Sequence, residues 1–212
     1  MVPTWHSGSN YIQYLYLFCK KLVRRGKSDG SDPPRWESYR GWSRSLTINS
    51  KKWYIPKMSE STLVTQSLDL AGIPYRVFQH NQPPNSLEQA AAERGQEPGQ
   101  VIRSILFRIT EEQFVLVLVA GPEQLTWQKL RSYLGVSRLA LASEEEVLRV
   151  TGAPIGGVGP LGLPHPIRIL ADRSIFLPDE ISIGSGVRGI AVILKSADLR
   201  QMLGEVEIAA FK

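Results

Sequence analysis

Two apolar, β-rich runs, VIRSILFRI at 101–109 and FVLVLVA at 114–120, stand on either side of the polar TEEQ. Runs of this length, rich in branched and aromatic side chains and joined by a short polar link, read as two strands of a hairpin. Their apolarity is nearly continuous rather than alternating, so both faces of the hairpin are expected to be covered. That places the pair at the centre of a sheet.

The flanking pattern supplies the remaining elements. A helix is expected over 59–71 and stops at Gly72, after which IPYRVF carries Ile73, Tyr75 and Val77 at the period of a strand. Ser86 and Gln89 have the spacing of a capping box for the helix SLEQAAAER, and Gly95 offers the left-handed stop. Further helices are expected over 125–134 and 144–150, the second opened by a box of Ser143 and Glu146 and closed by Gly152, with a short strand RLALA between them. Beyond a Gly/Pro-rich loop come strands in PIRILA, EISIG and GIAVILK, a capped helix from Ser196 and a terminal strand in EVEIAAF. Strands outnumber helices, and neither a βαβ alternation nor an internal repeat is visible. The fold class is therefore α+β, with a mixed, curved, barrel-like sheet and surrounding helices.

A chain of 212 residues with 42% hydrophobic content holds one domain of ordinary size plus an appendage. Its net charge of +5 suggests a nucleic-acid binder until the charges are divided along the chain. Residues 1–57 hold 11 Lys and Arg against 3 Asp and Glu, a balance of +8; residues 58–212 hold 14 against 17, a balance of −3. The domain itself is slightly acidic. Residues 1–57 also hold four of the five tryptophans and the turn-rich GKSDGSDPPRW, without a sustained period. They read as a basic extension with little fixed structure, for which a natural start at Met58 accounts well. A basic, aromatic arm for RNA or an anionic membrane surface and an Arg-rich transit peptide are the alternatives.

No apolar run approaches the roughly 20 residues of a membrane span, and YIQYLYLF is followed rather than preceded by its cations, unlike a secretory signal. The single cysteine, Cys19, allows no intrachain disulfide or thiolate cluster, which suits a reducing cytosol. His6, His80 and His165 lack metal-ligand spacing. No metal or other cofactor is implied.

Chemistry is most visible in TGAPIGGVGPLGLP at 151–164. Without side chains, Gly156, Gly157 and Gly159 let backbone amides approach a ligand and donate to a carbonyl oxygen or a developing oxyanion. The alternative is a plain tight connection. A phosphate loop is excluded, because G-x-x-x-x-G-K-[ST] is missing, and so is the G-x-S-x-G nucleophile elbow.

This loop, the strand VIRSILFR and the tail DRSIFLPDEISIGSGVRGIAVILKSADL occur in an order that resembles the YbaK/EbsC family of aminoacyl-tRNA deacylases, over nearly all of residues 60–210. That family includes the editing domain inserted in bacterial prolyl-tRNA synthetases. The resemblance implies a YbaK-like fold for 58–212 and hydrolysis, in trans, of the ester linking a wrong, small amino acid to tRNA, tRNA-Pro among the candidates. It also implies an aminoacyl pocket lined by Gly156, Gly157, Gly159 and Pro160. The strand motif of the family begins with lysine and then threonine or serine, where this chain has Arg103 and Ser104. Arginine stays charged and presents a broad fork, so Arg103 suits anchoring of a phosphate or carbonyl oxygen rather than base catalysis. His80 matches a family histidine after the first strand, and Asp172 an aspartate after a later one; turn capping is the competing role for Asp172. Gly186 and Gly189, around Arg188, read as backbone geometry, and Lys129 and Arg131 as charges on a solvated helix face.

The expected partner is the acceptor end of an aminoacyl-tRNA, in the cytoplasm and without stable membrane association. The alternative is a non-catalytic binding module of the same fold. Oligomeric state and the identity of the amino acid are left open by the sequence.

Overall fold

The computed structural model describes residues 61–212. The expected extension at 1–57, the expected start at Met58 and the first residues of the expected opening helix lie outside the described residues. Helix α1 spans Leu63–Ala71 and is opened by Thr62, not by a residue near 59. Thr62 Oγ1 accepts from Thr65 N at 3.3 Å and Thr65 Oγ1 accepts from Thr62 N at 2.9 Å, so a second threonine takes the place of the usual Glu or Gln. Gly72 ends the helix at φ 67°, a left-handed conformation that favours glycine.

The chain continues through β1 (Arg76–Gln79), α2 (Leu87–Arg94), a 3-10 turn (Pro98–Gln100), β2 (Ile102–Arg108) and β3 (Phe114–Ala120). Next come α3 (Trp127–Leu134), β4 (Ala140–Leu141), α4 (Glu144–Thr151) and β5 (Arg168–Asp172). A second 3-10 turn (Arg173–Phe176), β6 (Glu180–Gly184), β7 (Ile190–Lys195), α5 (Ser196–Leu203) and β8 (Glu207–Ala209) complete it. Two caps differ from expectation. Ser86 caps α2, but the Gln89 side chain accepts from Asn85 N rather than closing a box on Ser86. Ser196 is the first helical residue of α5, and Lys195 holds the cap position without a side-chain bond.

The hairpin is present as expected, β2 and β3 pairing antiparallel from Ile102 opposite Ala120 to Arg108 opposite Phe114. It sits inside a five-stranded sheet ordered β4-β2-β3-β5-β8, in which β3–β5 and β5–β8 are parallel. The sheet is therefore mixed. A second, antiparallel sheet runs β1-β7-β6. One parallel bridge, Val101 to Ser182, joins the two, and β6 packs against β2. The single barrel-like sheet of the sequence reading is thus divided into two sheets that do not close, because the ladder between them extends no further than that bridge.

Side chains two residues apart share a face of a strand, so the hairpin feeds two cores. Leu116 and Leu118 join Ile102 and Leu106, Ile181 and Ile183 of β6, Val192 and Leu194 of β7, Val64 and Leu68 of α1, and Leu199 of α5 in the larger core. Val115, Val117 and Val119 turn the other way, onto Phe107, Leu130 of α3 and Phe211. Burial of each such side chain contributes about 1.5–3 kcal/mol, which explains why FVLVLVA is apolar at every position.

Candidate functional site

Beside the three-stranded sheet lies a cavity of about 420 Å³. The residue just after β1 is His80, α2 delivers Arg94, α4 brings Glu144 and Leu148, the Gly/Pro loop adds Pro154, Ile155 and Gly156, and the turn before β7 adds Arg188. Leu148 and Ile155 are 55% and 49% exposed, so part of the wall is apolar and unfilled.

The back wall is a chain of hydrogen bonds. His80 is buried, and its backbone N–H donates to Gly189 O at 2.9 Å, which fixes it to the turn before β7. Arg94 directs Nε and Nη2 at His80 Nε2, at 3.1 and 3.0 Å, and donates from Nη1 to the buried Ser182 Oγ at 2.9 Å. Because arginine has no acceptor, His80 Nε2 is the accepting nitrogen, and the ring proton sits on Nδ1 and donates to Glu93 Oε2 at 2.5 Å. Hydrogen bonds from His80 and then Gln89 hold the Glu93 carboxyl below its ordinary range. Burial pushes Arg94 down from its ordinary value, yet it remains a cation with only neutral direct partners. Both nitrogens of His80 are occupied, so here it positions Arg94 and is not a free base.

Opposite this wall, Gly157 N donates to Pro154 O at 2.9 Å, closing a turn with Gly156 at φ 83°. That is the conformation a type II turn requires at its third residue. Gly156 is exposed, and its amide is engaged by no other described residue. Gly157 and Gly159 are buried and serve a different end. A Cβ on Gly157 would stand 2.9 Å from Arg188 N, and one on Gly159 would stand 2.3 Å from Gly184 O. Gly186 N also donates to Gly157 O at 2.8 Å. The loop and the β6–β7 turn are in backbone contact, and this places Arg188 beside Gly156.

Of the residues expected from sequence, His80 and Gly156 line this cavity. Gly157, Gly159 and Pro160 are buried behind it. Arg103 is not among the lining residues: it donates to Glu123 O, and its Nε is buried without a partner. Ser104 Oγ is likewise buried and unpartnered, on the strand face that carries Ile102 and Leu106. Asp172 is 2% exposed and accepts from Ser174 N at 2.9 Å, Ser174 Oγ at 2.5 Å and Phe211 N at 2.7 Å, which is the turn-capping role. Sequence reasoning missed Glu93, Arg94, Ser182 and Glu144. No local signal marks them: Arg94 reads as the basic last turn of a short helix, and its partner His80 belongs to another element.

Comparison with known proteins gives a consistent outcome. The aminoacyl-tRNA editing domain model matches residues 82–202. Proline–tRNA ligase of Streptococcus pneumoniae (strain Hungary19A-6) is 40% identical over 90 residues, which is 42% of this chain and 14% of the ligase. The chain therefore matches only a small part of the length of such curated relatives. A candidate trans-editing enzyme for prolyl-tRNA synthetase superposes with a TM-score of 0.64 at 27% identity, over 71% of this chain and 94% of that one. A hypothetical protein of known crystal structure, 22% identical, has the same fold, with a TM-score of 0.64 over 70% of this chain and 98% of its own.

Proposed function

This chain belongs to the aminoacyl-tRNA editing domain family, and from that membership we propose that it hydrolyses the ester of a mischarged aminoacyl-tRNA, acting in trans in the cytoplasm. One observation carries the reading: Gly156, whose amide has no partner among the described residues, and the cations Arg94 and Arg188 line one cavity with a partly apolar wall. An aminoacyl ester needs those features, namely a donor for its carbonyl oxygen, positive charge for the oxyanion or the adjacent phosphate, and a surface for a small side chain. Glu144, on the rim, suits the α-ammonium group of the amino acid.

In this scheme the Gly156 N–H polarises the ester carbonyl and water attacks the carbonyl carbon. A carbon–oxygen bond to water forms, the bond to the ribose oxygen breaks, and the proton lost by water ends on that ribose oxygen. The products are a free amino acid and an uncharged tRNA. His80 and Glu93 act as positioning residues that hold Arg94 at the wall. Arg103 has no assigned contact with the substrate in this scheme.

The test is deacylation of a panel of labelled aminoacyl-tRNAs by the full chain and by Gly156→Ala and Arg188→Ala. Selective release of one amino acid, lowered on the order of 100-fold in Arg188→Ala and also lowered in Gly156→Ala, where alanine disturbs the positive-φ turn that sets the amide, supports the reading. Retained binding of aminoacyl-tRNA with no release across the panel would replace it with a binding module.

A further inference from the structure

Away from the cavity, a second set of side chains is used by nothing described so far. Arg108 at the end of β2, Arg131 on α3 and Arg138 before β4 line one depression of about 500 Å³, with Ser137 and Ile109 between them. Ile109 also borders a neighbouring depression of about 590 Å³, to which Arg149 and Arg168 contribute. Five of the 14 Lys and Arg of residues 58–212 thus meet on one surface of a segment whose balance is −3.

Pairing separates these five. Arg108 bonds Glu146 at 3.1 Å, Arg168 is held by both oxygens of Glu207, and Arg149 lies 5.5 Å from the centre of the Phe114 ring. Arg131 and Arg138 have no side-chain partner among the described residues. Glu112 is the one carboxylate among the lining residues of the two depressions. Two unpaired guanidiniums in a shallow, open groove with a serine hydroxyl suit a row of phosphates, whose geometry the arginine fork matches. Phe114 is half-buried under the Arg149 guanidinium and His165 is the one exposed ring among the lining residues, so contact is carried chiefly by the phosphate backbone.

The groove is also close to the cavity. Helix α4 separates them: Glu144 and Leu148 face the cavity, while Arg149 and Val150 face the neighbouring depression. A helix is about 10–12 Å across with its side chains, a span that a few nucleotides bridge. We propose that the surface formed by Arg108, Arg131, Arg138 and Arg149 is an RNA phosphate-backbone site that holds the stem of the nucleic acid whose end occupies the cavity. This rests on the editing reading only for what occupies the cavity; backbone binding itself is measurable on uncharged RNA.

The experiment uses the full chain and an uncharged hairpin RNA that reproduces a tRNA acceptor stem, with affinity measured across a salt series. Arg131→Gln with Arg138→Gln should weaken binding about tenfold at moderate salt and lower the slope of log affinity against log salt by about 1.5. Arg173→Gln with Lys195→Gln removes two exposed charges elsewhere and should leave the slope unchanged. Equal effects in the two double variants would reduce the groove to a general field and overturn the proposal, as would no effect in either. Tighter binding by wild type of an acidic peptide than of the RNA, lost in the groove variant, would overturn the proposal and reassign the site to a protein partner. A normal groove effect without aminoacyl-tRNA hydrolysis would sink the editing reading alone; hydrolysis without a groove effect would sink this proposal alone.

Discussion

Gly156 and Gly159 stand in one loop, three positions apart, and lack a side chain for opposite reasons. Gly156 needs its positive φ, and a Cβ there would meet nothing nearer than the Arg188 side chain at 3.9 Å. Gly159 has no such φ, but a Cβ would strike Gly184 O at 2.3 Å and Val64 Cγ2 at 2.9 Å. The outer half of the loop shapes the cavity; the inner half locks the loop to the sheet. The same contrast separates the two buried polar clusters. Asp172 is enclosed by Ser174 and Phe211, whereas Arg94 reaches from Ser182 and His80 to an open wall. Composition alone makes each pair look alike.

The inner half offers the largest expected effect. Gly159→Ala should destabilise the protein by about 3 kcal/mol in urea unfolding, because the neighbour it meets is backbone. Gly156→Ala should cost about 1–2 kcal/mol, the price of a left-handed backbone for alanine. Equal losses in the two variants would break the comparison.

Next in size is Asp172→Asn, expected to cost about 2 kcal/mol near neutral pH through weakened bonds to Ser174 and Phe211. Burial raises the pKa of Asp172, but the bonds from Ser174 and Phe211 and the charge of Lys212 outweigh it and leave the pKa lowered. A depressed folded-state pKa means stability that is present above the ordinary value of about 3.9 and is lost as pH falls through the folded value. Wild type should therefore lose more stability than Asp172→Asn as the pH is taken from about 5 towards 2. Parallel stability–pH curves would remove Asp172 from the closed cluster.

The smallest effect belongs to the surface. Glu207 accepts two bonds from Arg168 and one from Tyr133, yet these groups are largely exposed. Glu207→Gln should change stability by less than about 1 kcal/mol, with the difference shrinking further in high salt. A loss matching that of Asp172→Asn would show that exposure does not sort these clusters.

Much of the fold was legible. The hairpin, the caps at Gly72, Gly95 and Gly152 and the box of Ser143 and Glu146 depend on neighbours in sequence, and all are present. The division into two sheets was not legible, since strand pairing between β1 and β7 joins residues more than a hundred positions apart. The site was half visible: Gly156 and His80 could be singled out, but Arg94 and Glu144 could not.

What the sequence determined by itself is therefore local and periodic: which segments form strands and helices, where they stop, and that residues 58–212 are slightly acidic while residues 1–57 are basic. Tertiary structure alone decided which glycine faces the cavity, which arginine is left unpaired and which histidine nitrogen accepts. Those outcomes depend on distances between elements remote in sequence, set when the two sheets pack around the larger core. Hydrogen bonding and steric exclusion act over a few ångströms, and only the packed fold brings such groups within that range.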